Sequence, residues 1–380
     1  MQLKPVNKKA KSSLPGYSKL EGTLPPYVSG YVAAGDRFVP RISTRLTAKD
    51  KLGGIAVRWD IGRDSYIVEP GLYAVGDPDK TSPLLVSANY KLSFDALRKE
   101  LGGLDLWIVV LDTKGVNVWC AAGKGTFGTP ELLDKIARLR LGDIVSHRLL
   151  ILPQLGAPGV SAPEIARVSS FRVVWGPVRA ADLKAFLEAG MKKTEGMRRV
   201  EFRLADRMAV APVEIAHAWP FFLGAAALSI LGALPLGAGS GGRLGILLTA
   251  TWGSVLVGSI AFPALLPFLP TKAFSIKGAA LGALWALLCA AIAAGSGGGG
   301  LGPGAGFMSP GSGFMSLGLG AALILVSAPV VSFIGLNFTG SSTFTSQGGA
   351  KLEVERSIAP TIVSLIAGIG LGGAARVFGF

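Results

Sequence analysis

The sequence has few residues that bind metals or form cross-links. Its 380 residues include two cysteines, Cys120 and Cys289, and two histidines, His147 and His217. Two distant cysteines form neither a disulfide framework nor a Cys-x-x-Cys pair. Four thiolates for an iron–sulfur cluster cannot be assembled, nor can the usual donor set of a zinc site. We therefore expect no disulfide, no zinc site and no iron–sulfur cluster in this chain.

Charged residues are also scarce, and their distribution divides the chain. They make up 16% of the residues, against about 25% in a typical soluble protein. Only six basic and two acidic residues follow residue 217. The predicted fold is therefore a soluble α/β domain over residues 81–217, followed by an all-α transmembrane domain of five helices over residues 218–380.

The net charge of +14 raises the question of a nucleic-acid partner. No basic stripe with interleaved aromatic residues is present, so the pattern of nucleic-acid binding is missing. A basic cytoplasmic domain beside anionic lipid headgroups explains the charge better. The expected partner is therefore membrane lipid, and no nucleic acid is expected.

Residues 1–80 are predicted to form an N-terminal arm and short strands packed on the globular domain. The start, Met1–Lys11, is basic but has no apolar core behind it, so we do not expect a signal peptide. Residues 1–35 are rich in Pro, Gly, Lys and Ser and are predicted to be irregular. Two alternating runs, Ile55–Trp59 and Ser65–Val68, predict antiparallel strands.

Strands and helices alternate in residues 81–217. Strands are predicted at 84–88, 106–111, 148–152 and 171–175. Helices are predicted at 93–101, at 129–139, after the loop 153–159 as far as residue 165, and at 180–189. Alternation of this kind favours a Rossmann-like, largely parallel sheet with ligands at the carboxyl ends of its strands. Loops 88–91, 112–126 and 153–159 should share that edge.

Five apolar segments follow, at about 218–236, 244–269, 273–294, 315–337 and 358–378. Each approaches the ~20 residues that cross a bilayer. Basic residues in the second and fourth connections place the soluble domain in the cytoplasm, with the chain a multi-pass protein of the inner membrane. The Gly-rich stretch 295–313 predicts a flexible loop. No charged residue lies deep in the first four segments, which disfavours an ion pathway.

Cys120 lies in a glycine-rich stretch directly after the apolar run at 106–111. A lone cysteine is most often a small buried residue, and Cys289 fits that description. A phosphate loop fails because Val118 replaces its first glycine and Gly125 replaces its Ser or Thr. A cysteine nucleophile would need His147 or His217 as its base. A thiolate ligand for a cofactor that carries its own metal also remains open.

A resemblance narrows these alternatives. The stretch Asn117-Val118-Trp119-Cys120-Ala121-Ala122-Gly123-Lys124 resembles in full the signature of the corrinoid protein of microbial mercury methylation, the HgcA family. Residues 86–95, 125–129, 152–159 and 175–179 are similar to that family and to the large subunit of the corrinoid iron–sulfur protein. The five-span tail and residues 337–346 also resemble the HgcA family.

The resemblance implies a corrinoid-dependent methyltransferase. The Cys120 sulfur would be the lower axial ligand of the corrinoid cobalt, at a short cap helix. A methyl group would pass from cobalt to Hg(II), giving methylmercury. The implied partners are a ferredoxin-like reductant with two [4Fe–4S] clusters and a methyl donor, either a protein or a methyl-tetrahydrofolate-type compound. The alternatives are a corrinoid methyl carrier with a different native acceptor and a soluble domain that binds a nucleotide.

The candidate site residues come from three loops. Cys120 is the catalytic residue and axial ligand, and Asn117 is expected to cap the helix, tune the thiolate, or both. The cofactor-binding candidates are Asn117, Val118, Trp119, Cys120, Ala121, Ala122, Gly123, Lys124, Thr126, Phe127, Asn89, Tyr90, Gln154, Leu155, Gly156 and Ala157.

Overall fold

The computed structural model describes residues 24–233, 240–296, 312–340 and 347–378. The chain forms two compact units. The first comprises Met1–Val57 and Ile61–Val200, and the second comprises Arg58–Asp60 and Glu201–Phe380. The first is an α/β unit and the second is helical, so the predicted fold class is confirmed at this level.

The α/β unit contains a seven-stranded mixed sheet in the order β1-β2-β3-β5-β4-β6-β7. Its strands are β1 (Val28–Ala34), β2 (Arg37–Ile42), β3 (Gly71–Val75), β4 (Leu84–Ala88), β5 (Leu106–Leu111), β6 (Leu149–Leu152) and β7 (Arg172–Trp175). Its helices are α1 (Ala48–Arg58), α2 (Lys91–Arg98), α3 (Val118–Lys124), α4 (Thr129–Arg138), α5 (Leu141–Ile144), α6 (Ala162–Ser169) and α7 (Leu183–Glu188).

The expectation of a parallel sheet holds for β4 to β7, which pair in parallel. The pair β2–β3 is also parallel, whereas β3 is antiparallel to β5 and β1 is antiparallel to β2. In the parallel part β4 has β5 on one side and β6 on the other. Successive connections therefore leave in opposite directions, which opens a crevice at the carboxyl ends of the strands.

Alternate residues of each central strand face opposite sides of the sheet. Trp107, Val109 and Leu111 of β5 pack in one core with residues of α3, α4 and α6. Ile108 and Val110 pack in a second core with residues of α2 and α7. Both faces of β4 and β5 are thus covered, as their continuous apolar runs require.

The two strands predicted at Ile55–Trp59 and Ser65–Val68 are wrong. Most of the first run lies in α1, and the second run forms a short 3₁₀ turn at Arg63–Ser65 and an isolated bridge at Ile67. The helix is favoured by a capping box before it, because Thr47 Oγ1 accepts from the Asp50 N–H and Asp50 Oδ2 accepts from the Thr47 N–H.

The remaining predicted elements are present with shifted ends. The strands β4 and β5 lie where they were predicted, and β6 and β7 each begin one residue later. Helix α2 begins at Lys91, two residues before the predicted start at residue 93. The Pro130 helix α4 is capped by Gly128, and Thr129 is its first residue.

The second unit is helical throughout its longer segments. Its helices are α8 (Leu204–Met208), α9 (Ala211–His217), α10 (Trp219–Ala233), α11 (Ser240–Leu256), α12 (Phe262–Leu265), α13 (Phe274–Ser296), α14 (Ser312–Asn337) and α15 (Gln347–Phe378), with a π-helical turn at Val257–Ala261 joining α11 to α12. Four segments in the described residues are long and apolar enough to cross a membrane: Gly245–Leu265, Phe274–Ala293, Gly320–Asn337 and Gly348–Ala374.

These four segments overlap the second to fifth predicted spans, although the last, Gly348–Ala374, begins ten residues before the predicted 358–378. At the first predicted span, 218–236, the described helix α10 has 15 residues, and residues 234–239 lie outside the described residues. The arm at 1–23, most of the Gly-rich stretch 295–313 and the segment 341–346 also lie outside them.

Glycines set the contact between α13 and α14. A Cβ added at Gly278 would lie 2.6 Å from Ser332 Cα, and one at Gly282 would lie 2.5 Å from the Ser327 carbonyl oxygen. Spacing of small residues by four positions lets membrane helices approach closely. The backbones of α13 and α14 are therefore in direct contact.

Candidate functional site

Cys120 lies in the first turn of α3, a helix of seven residues that follows β5. Asn117 is the N-cap of this helix, and its Oδ1 accepts a hydrogen bond of 3.0 Å from the Cys120 N–H. Its Nδ2 lies 3.5 Å from Cys120 Sγ and donates to the sulfur. One side chain therefore both caps the helix and contacts the thiol, and Cys120 itself is half-buried and unpaired with any other cysteine.

The next two residues of the motif fix α3 on the protein. Ala121 and Ala122 are buried in the core on the α4 side of the sheet. Gly125 ends the helix with φ of 81°, a conformation that glycine adopts without strain. Gly123 and Lys124 are exposed. The small residues thus allow close packing of α3 on one side, while the sulfur lies on a less buried side.

The loop that precedes α3 is organised by Asn89 at the end of β4. Its Oδ1 accepts hydrogen bonds from the Thr113 N–H, the Thr113 hydroxyl and the Gly115 N–H, at 2.8–3.1 Å. Its Nδ2 donates to Asp112 Oδ1 at 3.3 Å. Asn89 is 2% exposed, so the structure places this candidate under the loop as a positioning residue.

Asp112 is held by neighbouring residues of the same loop. Burial would raise the pKa of its carboxyl, but hydrogen bonds from Lys114 outweigh that effect and lower it. Its backbone N–H also donates to Glu131 Oε1 of α4 at 2.8 Å. The loop before Cys120 is therefore fixed to both β4 and α4.

The loop after β6 packs against α3 from the other side. A Cβ at Gly159 would lie 2.1 Å from the Phe127 carbonyl oxygen and 2.9 Å from Ala122 Cα. A Cβ at Gly156 would lie 2.5 Å from the Phe127 ring. Phe127 is fully buried, so this candidate lies in the core and supports the loop. Thr126 is half-buried, and its hydroxyl lies 3.5 Å from the Thr113 carbonyl oxygen.

A cavity of about 320 Å³ opens beside α3 at the carboxyl ends of β4, β6 and β7. Asn117, Val118 and Trp119 form one wall, and Leu155 of the loop after β6 forms another. Helix α2 contributes Leu97. The structure thus brings one end of the motif, the loop after β6 and the crevice between β4 and β6 together, as the sequence predicted for the loops.

Gln154 and Ala157 belong to the short 3₁₀ turn that follows β6. The Ala157 N–H donates to the Gln154 carbonyl, and the Gln154 side chain accepts a hydrogen bond from Lys193 Nζ. Burial and the nearby Arg198 lower the pKa of Lys193. No sequence signal marked Lys193, because it is 39 residues from Gln154 in the chain.

Tyr90, the last candidate, is the N-cap residue of α2 and is buried. Its ring lies 5.9 Å from the Arg63 guanidinium carbon, a cation–π arrangement. In the structure it packs between β4 and the turn at Arg63–Ser65.

A buried ion network next to α2 is the feature that the sequence did not reveal. Lys91 Nζ lies 2.6 Å from both Asp50 Oδ1 and Asp95 Oδ2, and Arg98 contacts the same two carboxylates at 2.8 and 2.7 Å. Burial would raise the pKa of Asp50, but hydrogen bonds from Lys91 and Thr47 lower it well below its usual range. The network joins α1 to α2, the helix that follows β4.

Comparison with known proteins follows the same part of the chain. The model of the family described as CO dehydrogenase/acetyl-CoA synthase delta subunit matches residues 61–174. That range includes β3 to β6, the Cys120 helix and the loop after β6. The similarity is thus to the part of the α/β unit that builds the cavity.

Curated relatives are gamma subunits of the acetyl-CoA decarbonylase/synthase complex. The relative from Methanopyrus kandleri is 32% identical over 141 residues, which is 37% of this chain and 29% of the relative. Those from Archaeoglobus fulgidus and Methanocaldococcus jannaschii are 31% identical over 139 residues and 35% identical over 97 residues, covering 35% and 25% of this chain and 29% and 20% of the relatives. The chain therefore spans less than a third of the length of these relatives.

Proposed function

We propose that the α/β unit binds a corrinoid with Cys120 Sγ as the lower axial ligand of its cobalt, and that the chain takes part in methyl transfer. The observation that carries the proposal is the Cys120 thiol, half-buried and contacted by Asn117, on a short helix beside a cavity at the carboxyl edge of the sheet. The similarity to acetyl-CoA decarbonylase/synthase subunits supports the proposal. It agrees with the resemblance of the sequence to the large subunit of the corrinoid iron–sulfur protein.

The donor set fits such a group. A protein site for a bare metal ion needs several ligands, and the described residues contain no group of three or more His, Cys, Asp or Glu that could hold one. A corrinoid brings the equatorial ligands of its own metal, so one thiolate from the protein suffices. Cys120 is a soft donor, and Asn117 restrains its sulfur by a hydrogen bond to it.

The cavity fits part of the same cofactor. Its volume of about 320 Å³ is at the lower end of the range for small-molecule sites. It is large enough for the nucleotide tail of a corrinoid and too small for the macrocycle as well. We assign Trp119, Leu155 and Leu97 to the walls of this tail site, and we assign the open side of α3 to the corrin ring.

When bound, the corrinoid supplies a cobalt that carries a methyl group. The residues of this chain then have separate tasks. Cys120 would hold the cobalt through its sulfur and donate electron density to it, Asn117 restrains the sulfur by a hydrogen bond, and Asn89 holds the loop that precedes both. A strongly donating thiolate favours release of the methyl group to an electrophilic acceptor such as Hg(II).

We propose Hg(II) as the acceptor because of the eight-residue signature around Cys120. The second candidate is a methyl carrier with a different native acceptor. It is favoured by the relatives, whose descriptions name an acetyl-CoA decarbonylase/synthase complex. Reduction of cobalt is assigned to a ferredoxin-like partner with two [4Fe–4S] clusters. The methyl group is assigned to a donor protein or a methyl-tetrahydrofolate-type compound.

We also propose that the helical unit anchors the chain in the cytoplasmic membrane. Four of its segments are long and apolar enough to cross a bilayer. Lys272 lies between the segments Gly245–Leu265 and Phe274–Ala293, and Lys351 lies near the start of α15; the positive-inside rule places both on the cytoplasmic side. The division into an arm and short strands (1–80), a corrinoid-binding domain (81–217) and a transmembrane domain (218–380) is part of this proposal.

Cobalt analysis and an absorption spectrum test the cofactor assignment. Purified wild-type protein should contain cobalt, and Cys120→Ala should change the absorption bands of the bound corrinoid because the axial sulfur is lost. Cys289→Ala is the control, since Cys289 is buried among Ala250, Ala286 and Leu323 of the helical unit. An identical spectrum for wild type and Cys120→Ala would remove Cys120 as the ligand.

Product analysis tests the acceptor. Membranes that contain this chain and its reducing partner should convert Hg(II) to methylmercury when a methyl donor is supplied, and Cys120→Ala membranes should not. The carrier with another acceptor would be favoured if wild-type membranes contain the methylated corrinoid but form no methylmercury.

A further inference from the structure

A second cavity lies in the helical unit, far larger than the one beside Cys120. It has a volume of about 790 Å³ and opens between α13, α14 and α15. One face of α15, from Gly349 to Ser364, forms its long wall, and α13 forms the opposite wall with Ser275, Ile276 and Ala279. Helix α14 closes the back at Ala328, Pro329 and Ser332. We name this space the α15 crevice.

The polarity of the α15 crevice changes along its length. Its charged lining residues, Lys272, Glu353 and Arg356, lie toward the end where α13 begins. The lining of α15 from Ser357 to Ser364 carries no charge. At 1.5 Å per residue, the distance along α15 from Glu353 to Ser364 is about 16 Å. The crevice therefore has a charged mouth and a long, weakly polar interior.

The single acid at the mouth is already bound by the protein. Glu353 Oε1 accepts hydrogen bonds from the Ser275 N–H at 2.8 Å and from the Ser275 hydroxyl at 2.9 Å. Ser275 is in the first turn of α13, where backbone N–H groups lack helical partners. Glu353 thus ties α15 to the start of α13.

In the part of the chain that the structure describes, the two basic residues at the mouth, Lys272 and Arg356, are not held by an ion pair. Within the described residues, neither Lys272 nor Arg356 has a carboxylate within ion-pair distance, whereas Lys351 of the same helix pairs with Glu355 at 3.8 Å. Lys272 and Arg356 approach the crevice from opposite walls. The mouth therefore presents two cations and one carboxylate, Glu353, which is already hydrogen-bonded to Ser275.

A hydrogen bond joins α15 to α14 at the inner end of the crevice. Pro329 has no N–H and cannot donate to the Leu325 carbonyl, the usual partner four residues earlier. The Ser364 hydroxyl of α15 donates to that carbonyl instead, at 3.1 Å. A contact at Glu353 and another at Ser364 join α15 to its neighbours at both ends of the crevice.

From these observations we infer that the α15 crevice is a binding site for an anionic phospholipid, with its phosphate between Lys272 and Arg356 and an acyl chain along α15. The inference rests on the proposed membrane location and goes beyond the proposed methyl transfer. The charged mouth matches a phosphate, and the uncharged lining of α15 from Ser357 to Ser364, about 10 Å long, matches part of a hydrocarbon chain. Basic pockets between membrane helices on the cytoplasmic side bind anionic headgroups of this kind.

The test measures lipid binding by the full-length protein in detergent. Native mass spectrometry counts bound lipids, and the thermal midpoint is measured with phosphatidylglycerol, phosphatidylcholine or inorganic phosphate. We expect retained phosphatidylglycerol and a raised midpoint with that lipid alone. The affinity should fall about fivefold for each of Lys272→Gln and Arg356→Gln, by the usual contribution of a basic residue near an anionic lipid. Lys351→Gln is the matched control and should bind like wild type.

A steric pair makes the result independent of charge. Ala279→Phe fills the wall of the crevice, while Ala280→Phe adds the same ring at an exposed position of α13 that does not line it. Only Ala279→Phe should abolish the lipid effect. Equal phosphatidylglycerol binding by wild type and the Lys272→Gln/Arg356→Gln double variant would overturn the proposal. So would equal stabilisation by phosphatidylcholine or by inorganic phosphate. Neither readout requires cobalt, so this proposal and the corrinoid proposal fail separately.

Discussion

At the scale of single residues, Asn117 shows how two tasks share one side chain. Its oxygen caps α3 and its nitrogen contacts the Cys120 sulfur. Serine at the same position could keep the cap through its hydroxyl but could not donate in the same way from an amide. The two tasks can therefore be separated by substitution.

We predict that Asn117→Ala lowers the stability of the α/β unit by about 1 kcal/mol through loss of the cap. The thermal midpoint should fall by about 2–4 °C in calorimetry. Asn117→Ser should keep the midpoint close to that of wild type. Both variants should shift the absorption of the corrinoid, because both lose the amide contact with sulfur. An unshifted spectrum for Asn117→Ser would show that the amide has no part in tuning the ligand.

Much of the candidate site could be predicted from individual residues of the sequence. The Asn at the start of the motif, the small residues after Cys120 and the loops at the carboxyl ends of the strands all indicated a cofactor site. Asn89 was predicted as a cofactor contact, yet its oxygen is occupied by three donors of the loop before Cys120. Lys193 could not be predicted as a site residue, because only the tertiary fold brings it to Gln154, which is 39 residues away in the chain.

At the scale of elements, apolar runs predicted the central strands correctly, whereas the signal for helix α1 lay in polar residues. The strands β4 and β5 are buried on both faces, so their continuous apolar sequence identifies them. Helix α1 was mistaken for a strand because a short alternating run fits both periods. Its capping box at Thr47 and Asp50 was the local signal for a helix.

The ion network of Asp50, Lys91, Asp95 and Arg98 makes α1 sensitive to pH. The pKa of Asp50 is lower in the folded state than its ordinary value, so its stabilising effect is present above about pH 4 and is lost as the pH falls further. The pKa of Lys91 is raised: burial lowers it, but bonds to Asp50 and Asp95 outweigh that effect. Its contribution is present below about pH 10 and is lost as the pH rises through the folded-state value.

We predict that Asp50→Asn destabilises the α/β unit by about 3 kcal/mol at pH 7, because it removes one of the two buried carboxylates that pair with Lys91 and Arg98. The fall in thermal midpoint of the wild type below about pH 4 should also become shallower in this variant. Asp134→Asn is the control, since Asp134 forms an exposed pair with Arg138 at 2.6 Å and should change stability by less than about 1 kcal/mol. Equal effects of the two substitutions in calorimetry would contradict the role of burial.

At the scale of the whole molecule, the chain forms an α/β unit and a helical unit, and the number of membrane spans in the helical unit is a separate question. Four segments meet the length and hydropathy of a membrane span in the described residues. The helix at the first predicted span has 15 residues in that range. Hydropathy does not determine whether a short helix beside a segment rich in Gly and small residues crosses the membrane. The number of spans therefore follows from measuring on which side of the membrane each connection lies.

The proposed topology has the α/β unit, Lys272 and Lys351 on the cytoplasmic side and the connection between α13 and α14 on the other. With cysteines 120 and 289 replaced, Ser309→Cys should react with a membrane-impermeant maleimide in intact spheroplasts. Lys351→Cys, an exposed position near the start of α15, should react only after the membrane is opened, because the positive-inside rule places this end of α15 on the cytoplasmic side. Labelling of Lys351→Cys in intact spheroplasts would reverse the orientation of α14 and α15. The mouth of the α15 crevice would then face the outer leaflet, whereas the proposed orientation places it at the anionic cytoplasmic leaflet, where the negative surface potential favours occupation by an anionic lipid.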